Sequence, residues 1–258
     1  MLFSTVYGPE LESLFLYIRK YSQLQGSVSS EQVYSMYLPH KTNPSKGQSK
    51  NLGDALNFLK TAGLIGEIDQ TSYEVLVGKD SDLSIPFAAL LLRQFHKLNQ
   101  SPLELRSIDL LYIIMLEQLY IKPDCVWISD LHFAANQLEL ARQIGGISQE
   151  KVGAWKRVME FLGLGYRMGS GFYCLYRLDL LDIISRQWTQ SVGSLQRFFE
   201  DHLQTWLPCL NARGEISQAV AFSMDQLADE GRFRLLPQQD APFRAYFGNR
   251  CLKGIELL

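Results

Sequence analysis

The sequence predicts a mainly α-helical protein with small β-hairpins, an α+β class, built as two similar domains in tandem plus a C-terminal extension. Three observations carry that prediction. Two stretches, Asn51 to Leu64 and Lys151 to Leu164, match at an offset of 100 residues. Apolar residues recur at helical spacing through both, as one buried helix face requires. Each stretch ends in Gly-Leu and leads into a short alternating pattern broken by turn residues, as a hairpin requires.

Composition bounds the rest. The chain has 258 residues, of which 47% are hydrophobic and 20% charged, with a formal net charge of −2. That is a globular composition, too apolar to remain disordered, and its length suits about two domains. The richest apolar run, Leu110 to Leu116, is closed by Asp109 and Glu117, far short of the roughly 20 residues a membrane span needs. The charge balance excludes a protein that coats nucleic acid by bulk electrostatics, so DNA contact has to come from a local patch. Met1-Leu2-Phe3-Ser4 has neither a basic nor an apolar leader pattern, so a cytoplasmic location is expected. Cys125, Cys174, Cys209 and Cys251 form no CxxC pair and have no His at ligand spacing; reduced thiols without zinc, disulfides or cofactor are expected.

In the first copy an amphipathic helix is expected over 10–24, followed by a short helix over 30–37 capped by Ser29 or Ser30. The matched helix then opens at Ser49 and stops at Gly63, where a left-handed cap is natural. Strands over 64–68 and 73–77 make the hairpin. The second copy repeats this with helices over 103–120 and 128–142, a matched helix from Ser148 to Gly163, and strands over 165–168 and 172–178. A helix over 83–98, with Pro86 in its first turn, joins the halves. Beyond them, helices over 191–210 and 215–229 and strands over 233–236 and 255–258 fit either a truncated third unit or a dimerisation or partner-docking tail. The expected boundaries are 1–80, 81–102, 103–190 and 191–258.

Three helices followed by a hairpin, with a helix of the pattern seen at Leu52-Gly-Asp-Ala-Leu-Asn-Phe-Leu-Lys-Thr-Ala-Gly-Leu64, resembles the winged helix-turn-helix family, and the chain resembles a tandem winged-helix protein. The resemblance covers most of 8–80 and 103–185. It implies a fold that serves DNA readers and protein-docking subunits alike.

In a DNA reader of this kind the third helix enters the major groove. On the first matched helix, Leu52, Ala55, Leu56, Leu59 and Ala62 share one face, while Lys50, Asp54, Asn57 and Thr61 lie opposite, with Lys60 at the side. The preceding segment, His40 to Lys50, holds Lys41, Lys46 and Lys50 and no acid. In the second copy the outward positions are Glu150, Ala154, Arg157 and Phe161, with Arg167 in the hairpin. Lys41, Lys46, Lys50, Asn57, Lys60, Thr61, Arg157 and Arg167 are therefore the candidate DNA contacts. Phe161, with Phe198, Phe199 and Trp206 of the aromatic tail, are the candidate protein contacts.

Catalytic patterns are absent. Gly163-Leu-Gly165 and Gly169-Ser-Gly171 lack the strand-before, helix-after setting of a phosphate loop or nucleophile elbow. His40, His96, His132 and His202 have no HExxH or HxxxH partner. The expected function is a non-enzymatic, DNA-binding accessory or regulator of a prokaryotic DNA-handling system, acting on double-stranded DNA through the first domain, with a protein partner or homodimer and no small-molecule substrate. The alternative is an interaction subunit resembling the tandem winged-helix "kite" subunits of chromosome-maintenance complexes, or accessory subunits of antiviral defence systems, with little direct DNA binding.

Overall fold

The computed structural model describes residues 6–37, 46–69, 71–77, 85–100, 111–237, 244–246 and 250–258. It opens with helix α1 (Gly8–Gln25), strand β1 (Val28–Ser29), helices α2 (Ser30–Tyr37) and α3 (Lys46–Thr61), and strands β2 (Ile65–Ile68) and β3 (Ser72–Val75). Helix α4 (Phe87–Gln100) follows. The same order then returns: α5 (Leu111–Leu116, continued by a π turn Glu117–Ile121), β4 (Trp127–Ile128), α6 (Leu131–Asn136), α7 (Glu139–Gln143), α8 (Gln149–Phe161), β5 (Gly165–Met168) and β6 (Gly171–Cys174).

It returns a third time. Helix α9 (Leu178–Ser185) leads to β7 (Val192–Ser194), then α10 (Leu195–Arg197, continued by a π turn Phe198–His202 and a 3₁₀ turn Leu203–Thr205). Helix α11 (Gln218–Asp229) and strands β8 (Phe233–Pro237), β9 (Arg244–Tyr246) and β10 (Arg250–Leu257) complete it. Each repeat closes a small antiparallel sheet with its last long strand in the middle: β1-β3-β2, β4-β6-β5 and β7-β10-β8, with β9 as an added partner of β10. Residues 178–257 thus carry the same order of elements as the first two repeats, rather than a truncated set. Helix α9, which the sequence boundaries assign to 103–190, opens the third repeat.

The repetition extends to local chemistry. The turn from each first strand into the next helix is capped by a short polar side chain. Ser29 Oγ accepts from Gln32 N–H while Gln32 Oε1 accepts from Ser29 N–H, a reciprocal capping box. Asp130 accepts from Phe133 N–H, and Ser194 from Arg197 N–H. Each third helix ends on a glycine of positive φ: Gly63 at 72°, Gly163 at 82° and Gly231 at 72°. The following N–H reaches back five residues in every case, Leu64 to Leu59 O, Leu164 to Met159 O and Arg232 to Leu227 O, each at 3.0 Å. This is the Schellman closure, which satisfies carbonyls the helix leaves orphaned and aims the chain into the hairpin.

One core runs through all three repeats. Its seams are aromatic. Phe58 of α3 meets Phe95 of α4 and Tyr112 of α5, which stack on each other at 5.0 Å. Trp155 of α8 donates its indole N–H to Tyr112 O at 2.9 Å. Between the second and third repeats, Gln218 N–H donates to Asp124 Oδ1 and the buried Tyr176 hydroxyl to Pro208 O.

Candidate nucleic-acid interface

The third helix of each repeat is the element to compare, since it has the same setting three times and different surroundings each time. Helix α3 is anchored by Leu52, Ala55, Leu56, Leu59 and Ala62, all buried, as the periodicity requires. It begins at Lys46, three residues before the expected Ser49, so Lys46 belongs to its first turn, four residues before Lys50. Lys50 and Asn57 are exposed and Asp54 half-buried between them. Lys60 Nζ donates to Glu67 of β2 at 2.8 Å, which neutralises it locally. Thr61 Oγ1 turns back on its own helix and donates to Asn57 O. Lys41 and the Lys46 side chain lie outside the described residues.

Helix α8 contrasts. Of the positions expected to face outward, Glu150 is exposed, while Ala154, Arg157 and Phe161 are covered. Ala154 is buried. The Arg157 guanidinium lies 5.7 Å over the Tyr7 ring, and its Nε is buried without a hydrogen-bond partner among the described residues. Phe161 is half-buried, packed on Phe87 at 6.2 Å and over Gly8 of α1. Arg167 is also engaged: its guanidinium pairs with Glu160, whose other oxygen accepts the Arg167 N–H at 3.1 Å. Arg157 is thus covered by the first repeat, Arg167 is exposed but ion-paired, and Phe161 has its partner within the chain. Lys156 ties the hairpin to the helix by donating to Gly169 O and Ser170 O. Burial, with nearby Arg167 in support, holds its pKa below the usual lysine value.

Helix α11 and its C-cap expose Phe222, Gln226, Asp229 and Glu230, none of them cationic, and Arg250 beside them is paired with Asp225. Before it, the aromatic residues expected to dock a partner are interior. Phe198 and Phe199 are fully buried, Phe198 between Trp188 at 5.2 Å and Phe199 at 5.3 Å. Trp206 is buried beneath Arg93 of α4, whose guanidinium sits 4.6 Å from its ring. The physical reason is that residues 191–210 are not one straight surface helix. A strand and a π turn change the register, so that consecutive phenylalanines can both point inward.

An open cleft of about 570 Å³ lies where α6 meets the start of α8, lined by Asp130, His132, Asn136 and Lys151 among others. Its central polar groups are spent on holding the turn: His132 Nε2 and Asn136 Nδ2 both donate to Ile147 O, and Ile147 N–H donates to Asn136 Oδ1. Among the described residues no group of three or more His, Cys, Asp or Glu side chains is placed to hold a metal ion, and no helix is long and apolar enough to cross a membrane. No family model, curated protein or solved structure matches the chain.

Proposed function

We propose that the chain is a non-enzymatic tandem winged-helix protein, of three units rather than two, that holds double-stranded DNA through the first. The repeated element order and the shared strand order support the winged-helix reading. The observation that carries the assignment to the first unit is the difference among the three third helices. Helix α3 leaves Lys50 and Asn57 open on one face, α8 is packed against α1, and α11 offers acids. Groove recognition needs hydrogen-bonding side chains of this length on an unobstructed helix, with cations nearby for phosphate. The second and third units then serve as the scaffold that orients the first within a DNA-handling assembly.

Fluorescence anisotropy with a duplex, measured across a salt series, tests this. Micromolar binding that weakens steeply with salt is expected, and Lys50→Ala should lower the salt slope by about 0.9 for the phosphate it releases. Absence of binding at low salt, or binding indifferent to Lys41→Ala, Lys46→Ala and Lys50→Ala together, overturns it. The interaction-subunit reading then takes its place, favoured by Phe222 exposed beside Gln226 and Asp229 on α11.

A further inference from the structure

The outer face of the second sheet carries a row of aromatic side chains, one from each strand. Trp127 of β4 stands opposite Tyr173 of β6, which stands opposite Tyr166 of β5. Side chains on one cross-strand row share a face, and the opposite face is set by Phe172, which is fully buried. Trp127 is 40% exposed and Tyr166 48%; Met168, two residues along β5 on the same face, is 59% exposed. Trp127 and Tyr173 touch at 6.5 Å between centroids. A side chain at Gly171 would collide with the Ile128 carbonyl and with the edge of the Trp127 ring.

The other two repeats serve as internal controls. At the same place the first sheet has Glu74 opposite Gly66, and the third has Glu256 between Val192 and Arg234, with Glu256 ion-paired to Arg234. The architecture therefore does not need aromatics there, and solvated polar groups suffice twice.

We propose that this row binds a proline-rich peptide segment in the polyproline II conformation. Three features narrow the occupant. The Trp127 indole N–H and the Tyr166 and Tyr173 hydroxyls have no hydrogen-bond partner among the described residues, so the face offers donors between apolar ring faces. A polyproline II chain supplies the complement: unpaired carbonyls, rings that fit between aromatics, and a backbone already ordered before binding. The row itself bears no cation, as a phosphate backbone would require. The β5 edge is closed to strand addition at Arg167, whose N–H is taken by Glu160, and polyproline II recognition needs no ladder. The area is also small. Side chains presenting 150–250 Å² each, about half exposed, give roughly 300–400 Å², below the about 800 Å² per partner of a stable dimer.

The test uses the full chain labelled with ¹⁵N and decaproline as the probe, with a glycine-serine decapeptide and a single-stranded oligothymidine as controls. The chain has 4 Trp, so the Trp127 indole resonance is assigned by its loss in Trp127→Phe. Decaproline should shift that resonance saturably, and the glycine-serine peptide should not. Tyr173→Ala and Trp127→Ala should weaken binding at least about tenfold, the step equal to about 1.4 kcal/mol. Tyr166→Phe, which keeps the ring and removes only the donor, should weaken it severalfold with an unchanged thermal midpoint. Silence at millimolar decaproline overturns the proposal, as does an equal response to the glycine-serine peptide. Binding of oligothymidine without decaproline would reassign the row to stacked bases, and a dimer abolished by Tyr166→Phe would reassign it to a second copy.

Discussion

Phe161 of α8 lies so close over Gly8 of α1 that a methyl group at position 8 would overlap its ring. The end of the second repeat's third helix thus closes on the start of the first repeat, and Phe87 packs on the same ring at 6.2 Å. The position admits no Cβ because the obstacle is a packed aromatic ring rather than the free end of a flexible chain. Gly8→Ala should destabilise by about 1–3 kcal/mol, the usual range for overpacking, despite the better helix propensity of Ala. In a Phe161→Ala background the same change should be neutral or stabilising, since the clash is gone. A urea-unfolding double-mutant cycle measures this coupling; additive effects would show that the ring and Gly8 do not constrain each other.

The three Schellman glycines differ in what surrounds them. All have positive φ, so each Gly→Ala carries about 1 kcal/mol of left-handed strain. Among the described residues nothing lies within 4 Å of where a Cβ would sit at Gly231, and near Gly63 the nearest atom is Gln94 Oε1 at 3.7 Å. At Gly163 three carbons of the Arg177 side chain lie within 3.6 Å. Gly163→Ala should therefore cost the most, with Gly63→Ala and Gly231→Ala close together near the strain value. Equal losses at all three sites would mean that Arg177 yields freely.

Much of this was legible in the sequence. The buried face of α3 follows from its apolar spacing, and the offset of 100 residues between Gly63 and Gly163 identifies the first two repeats as α+β units. The third repeat escaped the same test because Gly231 follows Gly163 by only 68 residues and its Gly-Leu has become Gly231-Arg232. No linking helix intervenes between β6 and α9, which shortens the spacing. Strands β1 and β4 have two residues each, too few to show alternation, so the cross-strand row at Trp127 could not be read. On the site, Lys50 and Asn57 were legible as outward residues. Arg157 and Phe161 have the same helical phase, but phase cannot say that another repeat covers them. That depends on tertiary packing, which also buried Phe198, Phe199 and Trp206.

Acid should weaken the junction between α4 and the third repeat. His202 is buried, donates from Nε2 to Ile184 O at 2.7 Å and packs beside Trp206. Burial lowers its pKa below the usual 6.5; the hydrogen bond to Ile184 opposes this and nearby Arg93 adds to it. A folded pKa below the unfolded one means stability is present above about 6.5 and lost as pH falls through the folded value. His96 is shifted the same way by burial, with Glu117 opposing. Chemical denaturation at pH 7.5 and at mildly acidic pH should show this loss, with a smaller pH slope in His202→Gln. An unchanged slope would place the effect at His96 or elsewhere.

The N-caps of the third helices should respond oppositely to alanine. Ser148 at the start of α8 accepts from Lys151 N–H at 3.3 Å, so Ser148→Ala should cost about 0.5–1 kcal/mol, the lower part of the range for a lost cap. Ser217 holds the same place before α11, yet its side chain makes no cap bond, and its Oγ is buried without a partner among the described residues. Its neighbours in space are backbone: Ser217 N–H donates to Cys209 O, and Ser217 O accepts from Val220 and Ala221 N–H. None of these bonds uses the hydroxyl, so alanine preserves them all. Removing an unsatisfied buried hydroxyl relieves its desolvation, which for such groups is about 1–3 kcal/mol. Against that stands a vacancy of a single atom, so Ser217→Ala should be neutral or stabilising by up to about 1 kcal/mol. Paired urea titrations of the two variants decide it. A loss at Ser217 as large as that at Ser148 would mean that the hydroxyl does cap α11.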